Sequence, residues 1–76
     1  MKNMKKLSEL CLGEGKRVCS LDCVGGMRRR LLDLGFLPGT AVRCVGVSPL
    51  GDPIAYSVRG KVIAIRKRDA CSIILE

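Results

Sequence analysis

Apolar and polar residues alternate in several short runs, and glycine or proline separates one run from the next. The most regular run is residues 54–58 (IAYSV), where every second residue is large and apolar. A period of two is typical of a strand with one buried face, so this run predicts a strand. Arg59 and Gly60 then predict a tight hairpin turn, and residues 61–65 alternate in the returning strand.

Three further runs favour strands: residues 16–21 (KRVCSL), 40–47 (TAVRCVGV) and 70–75 (ACSIIL). The first two contain β-branched residues and are bounded by turn residues. Gly46 lies inside the second run, where a glycine predicts a bend or a bulge. Residues two apart in a strand share a face, which predicts two pairs, Cys19 with Leu21 and Val42 with Cys44.

Between the first two of these strands, residues 27–34 (MRRRLLDL) consist almost wholly of good helix formers. Gly35 is placed to end this helix in a left-handed conformation. At about 100° per residue, one stripe carries three apolar residues, namely Met27, Leu31 and Leu34. Leu32 points away from that stripe, between Arg28 and Arg29.

The order of these elements predicts a mainly β fold of about five strands, with one main helix inserted after the first strand. We expect a strongly bent barrel whose open end the helix covers. A ferredoxin-like fold would need a second substantial helix, for which KRDA (67–70) is too short. Residues 1–6 are expected to form a flexible arm, and residues 7–76 the domain, with Ser8 capping a short helical turn.

The chain carries 14 basic and 7 acidic residues in 76, a formal net charge of +7. Such a balance favours an acidic partner surface, a nucleic acid or an anionic membrane face, although runs of charge also serve simply as solvated surface. No stretch approaches the roughly 18 apolar residues of a membrane-spanning helix, so no direct membrane insertion is expected. The N-terminal stretch also lacks the apolar core of a signal peptide, which predicts a cytoplasmic protein.

Histidine is absent from the chain, so the usual general base and the commonest metal ligand are missing together. The aspartates stand singly beside turns or helix ends, where capping explains them. No phosphate-binding glycine loop matches either. The sequence therefore predicts a protein that is not an enzyme and holds no cofactor.

Five cysteines could suggest a metal or redox site. Cys19 and Cys23 have the spacing of half a zinc knuckle, but no second pair completes it. We expect Cys19, Cys44 and Cys71 to be small packing residues, and Cys11 and Cys23 to be exposed thiols. A cysteine-based metal or redox sensor stays open as an alternative.

Binding to single-stranded nucleic acid normally uses aromatic side chains that stack on bases. Phe36 and Tyr56 are the only aromatic residues in the sequence. No nucleic acid partner is therefore expected, although a small basic RNA-binding barrel remains the main rival of another class.

Three ordered blocks, RRRLLDLGFLPGT, VSPLGDPIAYSVRG and IAIRKRDA, resemble the FeoA family of bacterial ferrous iron uptake. The resemblance spans about residues 7–76. It implies an SH3-like barrel that associates with FeoB, a membrane transporter with a cytosolic GTP-binding domain. It also implies an accessory or regulatory role without catalysis, concerned with a transition metal ion. The family does not determine oligomeric state or the details of mechanism.

Two interpretations compete for Leu32, which is either an apolar anchor ringed by charge or part of a helix buried on two sides. Pro38 and Gly39 are explained by a rigid turn, whereas Phe36 and Leu37 are expected to flank a groove between the helix and the barrel. Leu50 lies at the tip of a loop stiffened by two prolines. The predicted partner-binding residues are Arg28, Arg29, Leu32, Phe36, Leu37, Pro38 and Leu50.

Overall fold

The computed structural model describes residues 4–76, which form six strands, two α-helices and one 3₁₀ helix. In chain order these are β1 (Lys5–Lys6), the 3₁₀ helix (Leu7–Glu9), β2 (Gly15–Leu21), α1 (Gly25–Leu34), β3 (Ala41–Val47), β4 (Ile54–Val58), β5 (Lys61–Ile65), α2 (Lys67–Ala70) and β6 (Ile73–Leu75). The predicted mainly β fold with one main helix after the first long strand is confirmed. The sixth strand is the short β1.

The strands pair antiparallel in the order β1-β6-β2-β3-β4-β5. β2 divides its pairing, because residues 15–17 pair with β3 and residues 18–21 pair with β6. One strand therefore belongs to both halves of the sheet, with a register shift between Val18 and Ser20. Bulges of this kind bend a strand, and here the bend curls the sheet around one core.

Strand parity correctly predicts much of the buried face. Every second residue of β4 is buried, and so are Val42 and Cys44 of β3. The bulge expected at Gly46 is present, since the register of β3 and β4 shifts between Cys44 and Gly46. The prediction that Cys19 and Leu21 share the buried face of β2 is wrong. The shift in β2 breaks the alternation, so that Val18 joins Leu21 in the core.

Tyr56 lies at the centre of the core and is completely buried. Its hydroxyl donates a hydrogen bond of 3.1 Å to the carbonyl oxygen of Leu7, the first residue of the 3₁₀ helix. Burial raises the pKa of the Tyr56 phenol, because the charged form would lose its hydration. The bond ties the N-terminal segment to the barrel and gives the buried hydroxyl a partner, while the same carbonyl also accepts from the Leu10 N–H at 3.2 Å.

The expected N-terminal arm is partly wrong, because Lys5 and Lys6 form β1 and pair with Leu75 and Ile74. Residues 1–3 lie outside the part of the chain that the structure describes. The 3₁₀ helix begins at Leu7 with Lys6 in the N-cap position, so the prediction of Ser8 as the cap is wrong. The domain thus starts earlier than residue 7.

Helix α1 begins at Gly25 and ends at Gly35, whose φ of 112° is the left-handed conformation that its position predicts. Leu31 is fully buried and Leu34 packs against the edge of the core. Met27 departs from the expected stripe, with 38% of its surface exposed. Only the C-terminal half of α1 packs against the core, which leaves the first turn in solvent.

The run 70–75 forms a shorter strand than predicted, because residues 67–70 adopt the helical turn α2. The Asp52 carboxylate accepts a hydrogen bond of 2.9 Å from the Lys67 N–H. Asp69 is buried and pairs with Arg30 of α1 at 3.4 Å. These two carboxylates hold the turn against the neighbouring loop and helix, so strand β6 begins only at Ile73.

Candidate partner-binding surface

A surface groove of about 380 Å³ lies between the end of α1 and the β4–β5 hairpin. Leu32, Leu34 and Leu37 line one side of it. Arg59 and Lys61 line the hairpin side. Asp33 lies among the leucines, so the groove, called here the helix–hairpin groove, combines apolar side chains and one carboxylate on the helix side with two cations on the hairpin side.

The corner after α1 is built from two turns. Gly35 reverses the chain, and Phe36 donates its N–H to the Leu31 carbonyl at 3.1 Å. Thr40 then donates to the Leu37 carbonyl at 3.0 Å, which closes a turn around Pro38 and Gly39. The rigid turn predicted here is present, with Pro38 exposed at its tip. The corner therefore holds Leu37 in a defined position at the groove.

Phe36 does not flank the groove, and its prediction as an accessible contact residue is wrong. Its side chain is completely buried in the core. The bond from its N–H to Leu31 directs the chain back under the helix, and its ring occupies interior volume that aliphatic side chains would otherwise have to fill. The neighbouring Leu37 is 37% exposed and lines the groove instead.

Leu32 satisfies part of each competing interpretation. It is half-buried and packs against the core, as expected for a helix buried on two sides. The remainder of its surface lines the same groove as Leu37. The structure thus brings together two of the predicted contact residues across a helix end and a turn.

Arg28 and Arg29 are exposed on the solvent side of α1. Arg30, their neighbour in sequence, pairs with Asp69. Within residues 4–76 none of the three ion pairs involves Arg28 or Arg29. Their charges therefore remain available to attract an acidic surface.

Leu50 is 94% exposed, as expected for a loop tip, but it lies far from the groove. Its loop joins the Val47 end of β3 to the Ile54 end of β4, whereas the groove adjoins the Val58 end. The two ends are four residue steps apart, roughly 14 Å, and Leu50 lies beyond the Ile54 end. The predicted contact residues therefore do not form one continuous surface.

Val58, Arg59 and Lys61 also line the groove, although their positions in the sequence did not predict it. The Arg-Gly turn signal located the hairpin tip correctly. It contained no information on which element that tip would approach, because strand pairing and helix packing bring them together.

All five cysteines are free thiols. Cys44 is buried and Cys11 is exposed, as predicted, whereas Cys71 is exposed rather than a packing residue and Cys23 packs partly against the core. Cys71 follows α2 on the surface, with its sulfur 3.3 Å from the Ser8 hydroxyl. In the part of the chain that the structure covers, no three cysteine or carboxylate groups converge as ligands for a metal ion. No helix there is long and apolar enough to cross a membrane.

Comparison with known proteins shows the family. The model of the FeoA domain matches residues 5–76. The chain belongs to the FeoA family. The match begins at β1 and takes in every strand and helix described above.

Three relatives are similar to this FeoA domain over most of its length. A Porphyromonas gingivalis protein named as a fusion of Fe(2+) transport protein A and the Fe(2+) transporter FeoB is 32% identical over 71 residues. That match covers 93% of this chain but only 8% of the fusion protein. The solution structure of iron(II) transport protein A from Clostridium thermocellum is 39% identical, with a TM-score of 0.91, covering 95% of this chain and 44% of that one.

A crystal structure of Stenotrophomonas maltophilia FeoA, described as an SH3 domain protein complexed with zinc, is 32% identical with a TM-score of 0.84. That match covers 95% of this chain and 89% of that one. The SH3-like fold implied by the resemblance is therefore confirmed.

Proposed function

We propose that this FeoA domain is an accessory component of bacterial ferrous iron uptake that binds and regulates a FeoB-type membrane transporter from its cytosolic side. The observation that carries the proposal is the fusion relative, in which a region similar to 93% of this chain is joined to a protein named as an Fe(2+) transporter. Domains joined in one chain are held at high effective concentration, which favours a working contact between them.

A noncatalytic binding role fits the chemistry of the chain. Histidine is absent, and the exposed carboxylates lie apart at turns and helix ends. General acid–base catalysis needs a titratable group held within hydrogen-bond reach of a substrate, usually in a pocket. The helix–hairpin groove instead presents three leucines, two cations and a single carboxylate, Asp33, a combination suited to a protein surface.

The contact surface that we propose has Leu32 and Leu37 at its centre and the rigid Pro38 turn at its margin. Both leucines keep part of their surface in water in the isolated domain, and burying it against a partner would contribute about 25 cal/mol per Å². Arg28 and Arg29 would accelerate encounter with an acidic partner. Leu50, at the opposite end of the domain, could contact only a partner that extends past β4.

The direct experiment measures binding of the purified domain to the cytosolic GTP-binding domain of FeoB from the same organism. Leu37→Ser should weaken binding by about tenfold, because an apolar contact at the centre of an interface is lost. Leu12→Ser is the matched control, since Leu12 is 67% exposed and does not line the groove. Equal losses in both variants would contradict the proposed surface.

Leu32→Lys separates the two interpretations of that residue. If Leu32 serves mainly the partner, the variant stays folded by circular dichroism and loses binding. If the variant unfolds, Leu32 is a core residue and its contact role loses support. A pull-down with the tagged wild-type protein that recovered RNA rather than a membrane GTPase would contradict the proposed function itself.

Electrostatic steering has its own readout. Arg28→Glu together with Arg29→Glu should slow association at low salt, and added salt should reduce the difference from wild type. The dissociation rate should change little, because both side chains are exposed. Unchanged association rates at low ionic strength would exclude steering by these two arginines.

A further inference from the structure

A second cleft lies on the outer face of the sheet, across β2, β3 and β4. Its volume is about 380 Å³. Three arginines from three separate segments line it, Arg17 of β2, Arg43 of β3 and Arg59 of the hairpin tip. No acidic residue is among those that line it. We call this the arginine cleft.

Strand register explains why these side chains meet. Arg17 is opposite Ala41, and Gly15 is opposite Arg43, so the two arginines are diagonal neighbours on the outer face. Arg43 is in turn opposite Ser57 on β4, whose hydroxyl also lines the cleft. The sequence spacing of the arginines gives no hint of this arrangement.

Two of the guanidinium groups are held in place by backbone carbonyls. Arg17 donates from Nη1 to the Gly39 oxygen at 3.0 Å, and Arg43 donates from Nη1 to the Gly13 oxygen. Gly15 leaves room for Arg43, because a Cβ there would lie 3.3 Å from the Arg43 Cζ. Each guanidinium has five N–H donors, so both retain donors for a ligand.

These charges also lack neutralising partners. None of the ion pairs found in residues 4–76 involves Arg17, Arg43 or Arg59. Glu14, the acidic residue nearest to Arg17 in sequence, is held by Lys5 at 3.0 Å and by the Cys11 N–H at 3.0 Å. Three like charges placed together cost free energy unless a ligand offsets them.

Arg59 adds an independent observation. Its φ is 52°, and Gly60 follows with a φ of 80°, the backbone of a two-residue hairpin turn in which both central residues are left-handed. Asn, Asp or Gly is preferred at the first position of such a turn, and other residues cost about 1 kcal/mol or more there. Residues in sparsely populated backbone conformations cluster at functional sites. The strained position here carries a guanidinium at the mouth of the cleft.

We propose that the arginine cleft binds a multiply charged phosphate-class oxyanion. Arg17 and Arg43 lie outside the helix–hairpin groove, whereas Arg59 lines both the cleft and the groove. Planar guanidinium forks match the oxygen geometry of phosphate and form paired hydrogen bonds with it. Lys16 also lines the cleft, and the positive charge of these residues exceeds what a single carboxylate would neutralise, so a polyvalent phosphate group is the better match. Ala41, a small residue in the lining, lets such a group approach the sheet.

The test titrates the purified domain with inorganic pyrophosphate at fixed ionic strength and follows binding by calorimetry and backbone amide shifts. Arg17→Gln with Arg43→Gln should weaken binding by about tenfold or more. Arg28→Gln with Arg29→Gln removes the same two charges from an exposed helix face outside the cleft, and should change affinity by less than about twofold. Equal losses in the two double variants would show nonspecific charge attraction and would overturn the proposal.

Conservative variants separate geometry from charge and from folding. Arg17→Lys with Arg43→Lys keeps the charge but removes both guanidinium forks. Affinity for pyrophosphate should therefore still fall by about threefold or more. Arg59→Asn should raise the melting temperature by relieving the turn while weakening pyrophosphate binding. An Arg59→Asn variant that bound pyrophosphate as well as wild type would remove Arg59 from the site.

The phosphate group could belong to a free compound or to a lipid headgroup, and a second arm distinguishes these sources. Co-sedimentation with phosphatidylglycerol vesicles is measured for the same two double variants. If only the cleft pair weakens vesicle binding, the site accepts a lipid phosphate. If both pairs weaken it equally while pyrophosphate binding depends on the cleft, the ligand is a free phosphate compound. If the two double variants bind pyrophosphate equally and bind vesicles equally, the proposal is refuted.

Discussion

Phe36 and Leu37 are neighbours in sequence and have opposite environments, which makes them a sharp test of the structure. Phe36 is completely buried, whereas Leu37 is 37% exposed beside the groove. Truncating a buried phenylalanine to alanine removes favourable burial and leaves a cavity, at a cost of about 3–5 kcal/mol. Truncating a partly exposed leucine at a surface leaves no closed cavity, and should cost less than about 1 kcal/mol.

The size of the domain makes the difference easy to measure. A 76-residue chain is expected to have an unfolding free energy of about 4–11 kcal/mol. Phe36→Ala should therefore remove a large part of the total stability and lower the melting temperature by on the order of 20 °C. Leu37→Ala should stay close to the wild-type melting temperature.

Urea unfolding followed by far-ultraviolet circular dichroism is the suitable assay, because the chain has no tryptophan and one tyrosine. Phe36→Leu is the graded control, since it keeps an apolar side chain and should cost less than Phe36→Ala. If Phe36→Ala lost less than about 1 kcal/mol, or if Leu37→Ala lost as much, the burial argument for this corner would be refuted.

Three further predictions follow from single contacts. Tyr56→Phe removes the hydrogen bond to the Leu7 carbonyl, which still accepts from the Leu10 N–H, so the variant should lose about 0.5–1.5 kcal/mol in urea unfolding. Because burial raises the pKa of Tyr56, wild-type stability should also fall as the pH rises above about 10, and the phenylalanine variant should fall less. The Cys11 N–H and Lys5 lower the pKa of Glu14, so stability should fall as the pH drops through about 4.5 and below. Glu14→Gln should reduce that acid dependence in melts between pH 3 and 7. Gly35→Ala places a Cβ at a φ of 112° and should lower the melting temperature by about 4–8 °C or more; an unchanged value would contradict the left-handed helix end.

Interactions between near neighbours in the chain account for what could be predicted from sequence. The alternation in β4 places Ile54, Tyr56 and Val58 on one face whatever the rest of the chain does. Gly35 ends α1 because glycine readily adopts the left-handed backbone conformation required there. The bulge near Gly46 likewise depends on the local freedom of a glycine backbone.

Local reasoning failed where the environment came from distant residues. Cys19 does not lie on the expected face, because β2 pairs with two different strands and shifts register between them. Phe36 looked exposed because it follows a helix stop, yet the reversal at Gly35 turns it under the helix. Lys5 and Lys6 resembled a charged arm, and only β6 gives them a strand to pair with.

The sequence by itself determined the four longest strands and the main helix of this FeoA domain, their order and the family to which three blocks of residues point. Those properties depend on side-chain period, turn chemistry and local backbone preference, all of which can be read within a few residues. The tertiary structure alone decided which residues share a surface. It joined Leu32 to Leu37 in one groove, moved Leu50 to the opposite end and gathered three arginines into one cleft, because strand register and helix packing set distances that sequence spacing does not contain.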